Sequence, residues 1–166
     1  MTAPVVIFAV GNPSRGDDAI GPECCARLEQ WLANEGLAER FELIEDFQLQ
    51  IEHALDLQGR QLALFIDAGA RTPGPFTFRR IAPATGAACT THELPPEAVL
   101  QVYVQTEGEV PPPAFVLCIR GEDFELGEPI SALAEGNLQS AFELLARLCC
   151  QPSLATWEDA SLAIAV

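Results

Sequence analysis

The stretch Val5-Val6-Ile7-Phe8-Ala9-Val10-Gly11-Asn12-Pro13-Ser14-Arg15-Gly16-Asp17-Asp18-Ala19-Ile20-Gly21-Pro22 constrains the fold more than any other part of the chain. Its apolar run, rich in β-branched residues at its start, predicts a strand buried on both faces. Gly11-Asn12-Pro13 then turns the chain out of that strand with residues that turns favour. A helical pattern opens near Ala19, and Pro22 is acceptable there only because it sits in the first turn, where its missing N–H would be unpaired anyway. From Gly11 to Gly16 the spacing matches a phosphate-binding loop, but Asp17-Asp18 stands where Lys-Ser/Thr should follow. Two carboxylates repel a phosphate and suit a cation, so the loop fails as a nucleotide site.

The rest of the chain repeats the strand–helix alternation. Helical spacing of Cys24, Leu28, Trp31 and Leu32 predicts a helix over 19–34, stopped by Glu35-Gly36. Residues 41–44 read as a second strand ending in Glu45-Asp46, 47–50 as a loop and 51–57 as a short helix. A third buried strand over 62–66 is closed by Asp67-Ala68-Gly69. Residues 76–81 alternate weakly and carry Arg79-Arg80, which predicts an edge strand. The loop 82–93 holds His92, a helix follows to about 106, and 114–119 is another buried strand. Ser131 is a good N-cap for a helix ending near 150. This order predicts an α/β three-layer sandwich, a mostly parallel twisted sheet with helices on both faces. One domain is expected over 1–150, with 151–166 a loosely ordered tail.

Nine Lys+Arg against twenty-four Asp+Glu give a net charge of −15. That field disfavours nucleic acid and anionic membrane surfaces and favours cations or a basic partner. No apolar segment is long enough to span a bilayer, and no signal peptide is read at the start. The six cysteines contain no C-x-x-C spacing, and most fall in predicted helices or strands as small buried hydrophobes. A reduced, cytoplasmic, monomeric protein is expected.

In a parallel α/β sheet, functional groups gather outside the carboxyl ends of the strands. Asp17 and Asp18 follow the first strand, Asp46 the second and Asp67 the third, with His92 in the loop beyond. Their convergence on one edge suggests a divalent-metal site. Each has a plainer reading: one Asp caps the first helix, Asp67 makes an Asx turn, and His92 is solvated. His53 reads as a surface residue paired with Asp56 at i+3. A serine hydrolase built on Ser14 lacks the G-x-S-x-G elbow. A cysteine protease on Cys89 and His92 would need two residues of one loop to hold each other at hydrogen-bond reach. A flavodoxin-type small-molecule module is weakened by acids where a phosphate would sit.

The element G-N-x-x-x-x-D-D-x-x-G after a strand, then Phe65-Ile66-Asp67-Ala68, then His92, resembles the hydrogenase maturation endopeptidases over about residues 5–150. Arg120-Gly121-Glu122-x-Phe124-Glu125-x-Gly127-Glu128-Pro129-x-Ser131 resembles the branch serving soluble, NAD-linked hydrogenases. The resemblance implies an enzyme that removes a C-terminal extension from the large-subunit precursor of a NiFe hydrogenase after nickel insertion. The nickel arrives with the precursor and is not permanently bound. By register the implied metal-contacting and catalytic trio is Asp18, Asp67 and His92. Many members carry Glu where Asp18 stands. Where the family commonly has a D-x-G-T turn, this chain has Asp46-Phe47-Gln48-Leu49-Gln50, so Gln48 and Gln50 are expected to contact substrate through their side chains. A non-cleaving chaperone that binds the nickel-loaded precursor would use the same ligands.

Overall fold

The computed structural model describes residues 2–84 and 94–164. The strands are β1 (Val5–Val10), β2 (Phe41–Asp46), β3 (Leu62–Gly69), β4 (Phe76–Ile81) and β5 (Ala114–Arg120). They form one five-stranded sheet in the order β2-β1-β3-β5-β4, parallel except for β4, which runs antiparallel to β5 at the edge. The continuous apolar strands take the three central positions: all six residues of β1 are buried, and the first five of β3. Burial on both faces requires a layer of helices on each side.

Alternation along β1 divides its side chains between two cores. Val5 and Ile7 pack with Leu28 of α1 (Ile20–Glu35) and Leu145 of α3 (Ala132–Cys150). Val6, Phe8 and Val10 face the other way, toward Leu57 of the short 3-10 helix Ile51–Leu57 and Val99 of α2 (Pro96–Glu107). Phe8 stacks on Phe65 at a 4.8 Å centroid separation. The three-layer expectation therefore holds. Ser131 caps α3 as the sequence indicates, its Oγ accepting the Ala134 N–H at 3.2 Å.

The tail departs from expectation. Residues Leu154–Ile164 form a helix, α4, that packs on β4. Trp157 is fully buried, set edge-on to Phe78 and Phe115, and its indole N–H donates to the Leu148 carbonyl at 3.0 Å. The inward face holds little more than Trp157 and Ser161, so the helix has scarcely any apolar period to read. One large side chain with a satisfied N–H secures it.

Candidate functional site

The carboxyl ends of β1 and β3 open into a cleft of about 330 Å³ walled by Asp18, Asp67, Gln48, Phe47 and Leu94-Pro95-Pro96. Its floor is built by close backbone approach. Gly11 has φ +148°, and a Cβ there would lie 2.0 Å from the Asp18 carbonyl oxygen. Only glycine lets the loop fold back this tightly. The Asn12 N–H then donates to Asp18 Oδ2 at 2.7 Å, and Asn12 Oδ1 accepts the Ser14 N–H at 2.9 Å. These bonds hold the Asp18 carboxylate at the cleft wall.

Asp17 and Asp18 occupy the 3-10 turn Gly16–Ala19 and face different surroundings. Asp17 is fully buried. Its Oδ2 accepts the N–H groups of Glu122 and Asp123 and the Ser131 hydroxyl at 2.7, 3.0 and 2.8 Å, and its Oδ1 accepts the Ser131 N–H at 2.7 Å. Burial alone would raise its pKa; the four donors outweigh burial and hold it below the ordinary carboxylate value. The Asp17 N–H donates in turn to the Asp123 carbonyl at 2.7 Å, and Gly16 to Glu128 at 3.0 Å. A Cβ on Gly16 would lie 2.3 Å from that Asp123 carbonyl. Asp17 thus clamps the loop 120–131 onto the β1–α1 turn. Neither helix capping nor metal ligation describes it, and its partners, more than 100 residues distant, gave sequence reading no local signal.

Asp67 belongs to β3 and not to a turn after it, pairing in register with Cys118 of β5. Its Oδ1 accepts the Ala68 N–H at 2.7 Å. The neighbouring Cys118 thiol is pushed up by burial and by the Asp67 charge, against the opposing contact from Thr72 Oγ1 at 3.1 Å. Beside an acid it stays a neutral thiol.

The structure brings Asp18, Asp67 and Gln48 together on one cleft. Gln50 does not line it: its side chain accepts the His53 backbone N–H while His53 Nδ1 accepts the Gln50 N–H at 2.8 Å, a reciprocal cap of the 3-10 helix. His53 is correspondingly not a surface residue. It is buried, edge-on to Phe8, with Nε2 3.4 Å from Asp46 Oδ2 rather than paired with Asp56. An Nδ1 that accepts leaves the proton on Nε2, facing that carboxylate. Asp46 is accordingly turned away from the cleft, and Ser14 does not line it. His92 and Cys89 lie outside the described residues. Among the described residues no three His, Cys, Asp or Glu side chains form a group that could hold a metal ion. Nor is any described helix long and apolar enough to cross a membrane.

No family model matches this sequence, and no curated protein matches it. Solved structures do. The hydrogenase maturating endopeptidase HybD from E. coli superposes with a TM-score of 0.67 at 22% identity, over 87% of this chain and 91% of its own. The NiFe hydrogenase maturation protease HycI from Thermococcus kodakarensis KOD1 gives 0.64 at 24%, over 90% and 94%. An endopeptidase from Escherichia coli solved in solution gives 0.65 at 25%, over 87% and 91%.

Proposed function

From the fold that this chain shares with the NiFe hydrogenase maturation proteases, we propose that it is an endopeptidase that removes the C-terminal extension of a NiFe hydrogenase large-subunit precursor. One observation carries the reading. Two carboxylates from separate strand ends, Asp18 and Asp67, stand on the walls of a single open cleft. His92 stands two positions before Leu94, itself a cleft residue. Nickel belongs to the substrate, and Asp18, Asp67 and His92 are the residues that would meet it. Carboxylate oxygens and an imidazole nitrogen are donors that suit such an ion and leave coordination positions open. Bound nickel would polarise the scissile carbonyl and lower the pKa of a bound water.

The chain's own residues supply orientation. The Asn12 N–H fixes the Asp18 carboxylate, and the Ala68 N–H bonds that of Asp67. Gln48 offers an amide to the extended precursor terminus. The loop 120–131, held by Asp17, resembles the corresponding loop of the branch serving soluble, NAD-linked hydrogenases, and on that resemblance the precursor of such an enzyme is the substrate proposed. The chain works as a monomer in a reducing cytoplasm, where the five described cysteines, all unpaired, stay reduced.

The test is the intact mass of a nickel-loaded precursor after incubation with wild type, Asp67→Asn or His92→Ala protein. A fixed mass loss seen only with wild type and only with nickel is expected. Binding without mass loss marks a chaperone. Cleavage that survives both nickel removal and His92→Ala rejects the metal-centred reading.

A further inference from the structure

We propose that the outward face of the 3-10 helix Ile51–Leu57, continuous with the cleft through Phe47, docks the folded body of the precursor; this rests on the endopeptidase reading above. The partner surface it fits is an apolar patch ringed by basic side chains. Phe47, Ile51 and Leu55 are 65%, 58% and 62% exposed. His53, Ala54 and Leu57 turn inward, so Ile51 and Leu55 share the solvent side with Glu52. Phe47 walls the same cleft as Asp18 and Asp67, so a chain end entering that cleft brings its parent body over this strip.

The strip is held rigidly. The Gln50–His53 cap fixes the start of the helix, and its buried side chains pack among β1 and α2 residues. Binding to it therefore costs little ordering. The cleft, at about 330 Å³, takes only a few side chains, so a large precursor needs further contact area. Charge selects the occupant. On the strip's side of β2 and on the helix itself stand Glu42, Asp46, Glu52 and Asp56, with no Lys or Arg anywhere in residues 41–59; Glu45 alternates to the opposite face, beside Cys25 of α1. Arg60, the next cation, donates to the Asp56 and Ala3 carbonyls and to Glu42. A second copy of this chain, itself at −15, would oppose acid to acid; a basic rim complements it.

The experiment measures kcat and KM for cleavage of nickel-loaded large-subunit precursor by wild type, by the double variant Ile51→Ser/Leu55→Ser, and by Leu162→Ser. Leu162 is an exposed apolar control on α4. The double variant should raise KM by about tenfold or more, with saturating kcat and the thermal midpoint unchanged and the control unaffected. Wild-type KM should also rise with salt. An unchanged KM, or a fall confined to kcat, overturns the docking surface and leaves the endopeptidase reading intact. A wild type that fails to cleave a competent precursor overturns that reading, and the docking surface falls with it. A wild-type dimer that the double variant converts to monomer, seen by sedimentation, assigns the strip to a second copy and overturns the proposal.

Discussion

Asp17→Asn tests the clamp beneath the cleft. The asparagine oxygen can retain the three donors now on Oδ2, from Glu122, Asp123 and the Ser131 hydroxyl. Its NH2 then meets the Ser131 N–H, which now donates to Oδ1 at 2.7 Å. The Ser131 N–H and the amide N–H that meets it are both left without an acceptor, at about 1–3 kcal/mol for each buried donor, and hydrogen bonds to a neutral acceptor contribute about 1 kcal/mol less each than to a charged one. Relief from burying a charge offsets part of this, so a net loss of about 2–4 kcal/mol is expected, a large share of a typical stability of about 5–15 kcal/mol. Urea unfolding followed by tryptophan fluorescence reads it. The folded-state pKa of Asp17 is depressed, so its contribution is fully present above the unfolded value of about 3.9 and is lost as pH falls through the lower folded value. The gap between wild type and variant should be constant from neutrality to about pH 5 and shrink in stronger acid. Equal midpoints at neutral pH, or a gap unchanged through acid, would refute the argument.

Four further outcomes are expected. Asp18→Asn, which alters a half-buried group with one backbone donor, should change unfolding free energy by less than about 1.5 kcal/mol while abolishing precursor cleavage in the mass assay. Gly11→Ala should destabilise by about 1–3 kcal/mol or more, since its Cβ would meet the Asp18 carbonyl, and should reduce cleavage as well. Trp157→Ala should cost about 3–5 kcal/mol in chemical denaturation, whereas a loosely ordered tail would show no loss. Among the described cysteines, a thiol reagent should modify exposed Cys150 first; Cys24 and Cys149, both pushed up to about 12 chiefly by burial, should react only on unfolding.

The central strands were legible because burial on both faces writes itself as an unbroken apolar run, in 5–10 and in 62–66. The rule that strand ends face the functional edge brought Asp17, Asp18, Asp46 and Asp67 forward together, and only the resemblance singled out Asp18 and Asp67, the two that line the cleft. What local pattern could not supply was side-chain direction over a single residue step. In the turn Gly16–Ala19, adjacent residues point far apart, and only the distant loop 120–131 decides which acid is buried. His53 was misread for a similar reason. Spacing of i+3 suggested Asp56, while the reciprocal Gln50 cap and the Phe8 ring turn the imidazole toward Asp46. The same cap occupies Gln50 and leaves Gln48 alone at the cleft.

The neighbouring acids have consequences for how such a sequence can drift. Replacing the first disturbs a buried junction between distant segments, whatever substrate the protein serves. The second stands at the cleft wall, so a longer side chain there alters reach into the cleft while the junction beneath stays intact. Two successive codons thus separate change in a buried junction from change at an open cleft wall.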